Sequence, residues 1–156
     1  MALELDATDL RILAQLQRDS ALSNQALAEA VHVSAATALR RVRRLVEGGV
    51  IERQVAVLAP AALGSGVLCA VVEVTLETQG AAALEAFEAL ALAEPAVQQC
   101  YRVSSGPDFV LVVATPDMAA YHALAGRLST PEAGVRNVRT YFSVKRVKFG
   151  TELPLP

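Results

Sequence analysis

The chain has 156 residues, 53% apolar and 19% charged, with a formal net charge of −2. That length buries a core in one domain or two small ones, and the composition excludes a disordered chain. With so little net charge, any affinity for a polyanion has to come from local clustering of cations. Residues 1–57 hold seven basic and seven acidic side chains, and four of those seven basic ones fall within Arg40 to Arg44. The N-terminus, MALELDATDL, is acidic and lacks the basic and apolar regions of a signal peptide. Cys69 and Cys100 lie in apolar stretches without metal-ligand spacing, which predicts reduced core thiols. Together these features predict a cytoplasmic protein.

In chain order, Leu5 ahead of Asp6, with Asp9 three residues later, signals a helix start, and Leu10, Ile12, Leu13 and Leu16 follow as its apolar positions. Ser23 and Ser34 stand where N-caps are wanted, which makes SNQALAEAVHVSAATALRRVRRLVE two short helices joined by a tight turn. Leu27, Ala28 and Val31 form one apolar face, and Ala38, Val42, Leu45 and Val46 repeat at amphipathic spacing. That spacing leaves Thr37, Arg40, Arg41 and Arg44 outward on one face, with Arg43 further round. No acid interleaves Arg40 to Arg44, so pairing within the helix does not account for the charge and a polyanion does. The expectation is a helix-turn-helix that reads double-stranded DNA. Thr37, Arg40 and Arg41 are its base-edge readers, since arginine holds guanine bidentately; Arg43, Arg44 and Arg53 contact phosphate. Ser34 and Ala36, at the start of the helix, complete the surface.

Gly48 and Gly49 stop the third helix, VIERQVAVL reads as a strand leaving the domain, and Pro60 to Gly66 forms a boundary. Residues 54–72 are 19 positions without a charge, a length that reaches across a bilayer. Pro60, Gly64, Ser65 and Gly66 argue against a lipid-exposed helix there, so two buried strands with a linker are expected and no membrane partner. Beyond the linker, Val67 to Glu77 is a strand, Gly80 to Ala93 a helix ended by Pro95, and Val97 to Val103 with Phe109 to Ala114 a hairpin. Asp117 caps a helix over Met118 to Leu128, and Val135 to Phe149 is a long last strand. The order βαββαβ is that of a ferredoxin-like sheet with both helices on one face. Self-association is the simplest cover for the other face; Val67, Val71, Leu111, Val113, Tyr141 and Val144 are its candidate apolar material, their faces unassigned. The fold class is therefore α+β. A three-helix winged helix-turn-helix over residues 1–50 is followed by a connecting strand and linker over 51–66 and the ferredoxin-like domain over 67–156.

The stretches LDATDLRIL, SNQALAEAVHVSAATALRRVRRLVEGGVI, YRVSSGPDFVLVVATPDMAAYHAL and VRNVRTYFSVKRVKF, in that order and spacing, resemble the Lrp/AsnC family of transcriptional regulators nearly end to end. The resemblance implies an N-terminal DNA-binding domain and a C-terminal domain that dimerises and senses an amino acid, with dimers assembling into an octamer as a tetramer of dimers. It places RRVRRL at the recognition helix and the loop Ser104 to Asp108 at the effector contacts. It also puts glycine in the turn where this chain has His32. Ser104, Ser105 and the Gly106 amide suit a carboxylate, Asp108 an ammonium, and Thr140 of the last strand is added as a further polar contact.

Two other functional readings stand beside this one. A tetrapyrrole decarboxylase-like enzyme on the same scaffold needs a catalytic base, and His122 is the only histidine of the C-terminal domain. A ligand-independent DNA-binding or architectural protein needs only packing from that domain. The chain shows no Cys/His metal pattern, nucleophile elbow or glycine-rich phosphate loop, so catalytic residues, metal and cofactor are all expected to be none.

Overall fold

The computed structural model describes residues 3–63 and 66–156, so Gly64 and Ser65 of the expected linker lie outside the described residues. The chain divides into two units, Met1–Val57 with Lys148–Pro156, and Leu58–Val147. The segment 148–156, which the sequence reading gives to the ferredoxin-like domain, thus belongs with the helices. The Gln17 side chain holds it there: Nε2 donates to the Leu153 carbonyl at 3.1 Å, and the Leu153 amide donates to Oε1 at 2.6 Å. Leu155 packs against the helical core.

The first unit is built from α1 (Ala7–Arg18), α2 (Asn24–Ala30) and α3 (Ala35–Glu47). Each starts at the expected cap, because the acceptor lies within three residues of the amide it satisfies. Asp6 and Asp9 form a reciprocal capping box, and Ser23 and Ser34 accept from the amides of Ala26 and Thr37. Ile12, Leu13, Leu27, Val31 and Leu45 make the core. His32, in the turn between α2 and α3, has φ 57°, the left-handed region that glycine enters without strain. Gly49, at φ 71°, ends α3 in the same region.

The expected connecting strand over 51–66 does not form. Residues 52–59 carry no regular structure, and Val55, Val57 and Leu58 are exposed. A strand needs a neighbour to take its amides and carbonyls, and no described segment pairs with this one. A short 3-10 turn, Pro60–Leu63, follows.

The second unit contains β1 (Leu68–Leu76), α4 (Ala81–Ala93), β2 (Val97–Arg102), β3 (Phe109–Thr115), α5 (Met118–Leu128) and β4 (Val135–Phe142). The sheet order is β2-β3-β1-β4, all neighbours antiparallel, as in the ferredoxin-like fold. Ala70, Val72, Val74 and Leu76 of β1 share a face with Phe109, Leu111 and Val113 of β3, and both helices pack on that face. Phe87 of α4 meets Phe109 with ring centroids 4.8 Å apart. β4 stops at Phe142 rather than at Phe149 because its partner β1 runs out: Ala70 pairs with Phe142, and the Ser143 amide bonds to the Cys69 carbonyl at 2.8 Å.

Register settles which residues lie on the other face. Val71 and Tyr141 are opposite one another there and exposed, with Val110, Val112, Ala114 and Tyr101 alongside. Leu111 and Val113, counted with them from sequence, are in the core, while Val67 and Val144 fall outside the strands.

Candidate functional site

The outward side of α3 is not the one that spacing alone indicates. Asp9 of α1 is fully buried, and a carboxylate taken out of water needs counter-charges. It obtains them from α3: Arg41 Nη1 donates to Asp9 Oδ1 at 2.9 Å, and Arg44 Nη2 donates to Asp9 Oδ2. Arg41 Nη1 also meets Asp6 Oδ2 at 2.7 Å. Burial alone raises the Asp9 carboxyl, but the Asp6 amide and the two guanidinia outweigh it and hold its pKa below the usual range. The Asp9 amide and Arg41 bring Asp6 down to about 2. Arg41 thus bolts α3 to α1, and Arg44 shares that work. Thr37 is also withdrawn: it is half-buried and its hydroxyl accepts from Ser34 Oγ at 2.9 Å.

What faces outward is the stripe Ala36, Leu39, Arg40, Arg43, spaced i, i+3, i+4, i+7. Among the described residues no hydrogen bond or ion pair engages Arg40 or Arg43. Leu39, absent from the sequence reading, is 46% exposed beside them. Val46, expected in the core, is exposed instead. Ser34 is spent as the N-cap, and Arg53 is exposed in the segment after α3, without a described partner.

The loop Ser104 to Asp108 joins β2 to β3 and turns through Gly106, whose φ is 83°. Ser104, Ser105 and Gly106 are exposed. Asp108 is buried, its Oδ2 accepting from the Leu76 amide at 2.7 Å while its own amide donates to the Val74 carbonyl at 2.9 Å. One oxygen of the Asp108 carboxylate thus pins the turn to the end of β1. Thr140 is on the helix-facing side of β4, opposite Val72, and its hydroxyl pairs with that of Tyr121. Val72 and Leu76 are four positions apart on β1, about 13 Å at strand rise, so one copy of the chain does not bring Thr140 to the loop.

Comparison with known proteins decides the family. Residues 5–52 match the winged helix-turn-helix DNA-binding family, and residues 69–153 match the Lrp/AsnC ligand binding domain. The chain belongs to the Lrp/AsnC family. The leucine-responsive regulatory protein of Rhizobium meliloti (strain 1021) is 39% identical over 145 residues, covering 93% of this chain and 92% of that one. The protein of the same name from Escherichia coli (strain K12) is 35% identical, over 96% of this chain and 91% of its own. An AsnC family transcriptional regulator from Agrobacterium tumefaciens superposes with a TM-score of 0.83 at 34% identity, covering 96% of this chain and 97% of that one. A transcriptional regulator from Neisseria meningitidis, solved as a complex with L-Met, gives 0.82 at 32% identity and 97% of both chains.

As an Lrp/AsnC regulator, the chain pairs a DNA-binding helix-turn-helix with a ligand-binding domain. Within that pairing, the acidic partners Asp6 and Asp9 are the site residues that sequence reasoning missed. In the sequence they read only as a capping box, although two acids in a chain whose third helix carries four arginines are a visible signal. His122 is exposed on α5, its ring edge-on to Tyr121. No described helix is long and apolar enough to cross a membrane.

Proposed function

We propose that this chain reads double-stranded DNA through Arg40 and Arg43, with Ala36 and Leu39 on the same stripe, and that Arg53 contacts phosphate. The observation that carries this is the pair of exposed, unengaged guanidinia on the outward stripe of α3. Arginine forks match both guanine edges and phosphate oxygens. Footprinting on an operator selected from a random duplex pool is the test. Arg40→Ala with Arg43→Ala should abolish protection while far-UV circular dichroism stays as in the wild type; protection by the double variant refutes the assignment.

The second unit, on this reading, supplies self-association and sensing. The exposed face carrying Val71, Tyr101 and Tyr141 is the homodimer surface, and the higher octamer, a tetramer of dimers, is carried by the family resemblance. The effector is an amino acid whose carboxylate meets Ser104, Ser105 and the Gly106 amide; the relative bound to L-Met supports this class of ligand. Thr140 reaches such a ligand only if a second copy contributes it. Titration calorimetry across the twenty amino acids should show saturable heat with at least one, lost in Ser104→Ala with Ser105→Ala. The relatives named as regulators support a cytoplasmic protein that acts by binding rather than by catalysis.

A further inference from the structure

The cleft between α3 and the start of α1 holds more than a structural ion pair. It is a polar recess of about 100 Å³ lined by Asp6, Arg40, Arg41 and Arg44. Asp9 lies behind it, fully buried, and fixes Arg41 and Arg44 in place. Three guanidinium charges and two carboxylates leave the group with one positive charge. Many donors remain open. Arg41 uses only Nη1 in the described bonds and its Nε is buried without a partner; Arg44 uses only Nη2, and Arg40 uses none. Such a preorganised set of forks suits a tetrahedral anion.

Asp6 occupies the recess on different terms from Asp9. Its side chain is 54% exposed, whereas that of Arg41 is 20% exposed. The two oxygens of Asp6 also have separate tasks. Oδ1 caps α1, accepting from the Thr8 amide at 2.8 Å and the Asp9 amide at 2.9 Å, while Oδ2 takes Arg41. Oδ2 is thus a carboxylate oxygen on the wall of a cationic recess, and it holds an Arg41 donor that an incoming phosphate would also draw on.

We propose that the recess of Arg40, Arg41 and Arg44 is a seat for a DNA backbone phosphate, and that Asp6 sets the affinity of the chain for DNA by competing for it. This rests on α3 being the DNA-reading helix. When the phosphate docks, Arg41 exchanges Asp6 for a phosphate oxygen and keeps Asp9, so the seam between the helices stays closed. Asp6 thereby lowers affinity for every duplex alike, which leaves discrimination to the part of the stripe outside the recess, Ala36, Leu39 and Arg43.

The two tasks of Asp6 can be separated. Asp6→Asn keeps the capping carbonyl and replaces Oδ2 with a group that cannot accept from Arg41; asparagine is as good an N-cap as aspartate. Asp6→Ser also caps and is uncharged. Fluorescence anisotropy of the full chain on a mixed-sequence duplex, measured across a salt series, should show both variants binding about three- to tenfold tighter at 0.1 M salt. The slope of log K against log salt should steepen by about 0.9, as for one more neutralised phosphate. Thermal melts of the variants establish that both are folded. Arg43→Ala, which lies outside the recess, is run in parallel and separates two failures. Binding insensitive to Arg43 overturns the recognition-helix reading itself. Sensitivity to Arg43, with both Asp6 variants matching wild type in affinity and slope, overturns the phosphate seat and leaves Asp6 a cap alone.

Discussion

Removing the Asp9 carboxylate leaves Arg41 and Arg44 against the wall of α1, with only the exposed carboxylate of Asp6 nearby among the described residues. The change loses two charge-assisted hydrogen bonds and the Asp9 half of the capping box, each bond to a charged group being worth about 1.5 kcal/mol or more. Asp9→Ala should therefore lower the unfolding midpoint of the helical unit sharply. Arg40→Ala, which gives up no described partner, should leave that midpoint in place; equal midpoints for the two variants would contradict the bolt assigned to Arg41 and Arg44. The same carboxylates set the acid response. Asp6 is held at about 2 and Asp9 is also lowered, against an unfolded value of roughly 3.9. Because the folded values lie below the unfolded one, their stabilisation is complete above the unfolded pKa and is lost as the pH falls through the folded values. Far-UV circular dichroism should show the helices weakening from about pH 4 toward 2. Arg41→Met, which removes a cation that depresses both acids, should start less stable and depend less on pH in that window.

Elements differ in how much of them a local pattern can reveal. The caps of α1, α2 and α3 were legible because each joins residues two or three apart, and the buried positions of β1 and β3 follow from their alternation. The outward side of α3 was not legible, because Arg41 is turned aside by acids 32 and 35 residues away. Spacing finds which residues share a face; it does not find a charge on another helix. The loop between β2 and β3 shows the same limit. Its polar residues suggested an ammonium site, yet Asp108 is committed to Leu76, 32 residues earlier. Asp108→Ala leaves the Leu76 amide buried without an acceptor, which costs about 1–3 kcal/mol. The expected result is a clear fall in the melting temperature of the sheet unit. An unchanged midpoint would mean that the bond to Leu76 does little for stability and would leave Asp108 available to a ligand.

At the scale of the whole molecule, the two units are not two consecutive stretches of chain, since the last nine residues return to the helices that begin it. Nothing in TELPLP announces this: it has no helical or strand period, and its partner Gln17 lies at the other end of the sequence. Part of the helical unit's stability is thus carried by the segment that follows the sheet unit, so residues 1–57 alone are an incomplete version of it. Deleting residues 152–156 removes both Gln17 bonds, the Leu155 contact and the exposed pair of Arg18 with Glu152. Two hydrogen bonds and one partly buried leucine amount to about 2 kcal/mol, and the surface ion pair adds little. Differential scanning calorimetry should show the helical unit's transition moving down while the sheet unit's stays put, because none of the deleted residues belongs to residues 58–147. Movement of both transitions together would mean that the segment stabilises the sheet as well, and movement of neither would mean that the Gln17 clasp is too weak to matter in solution.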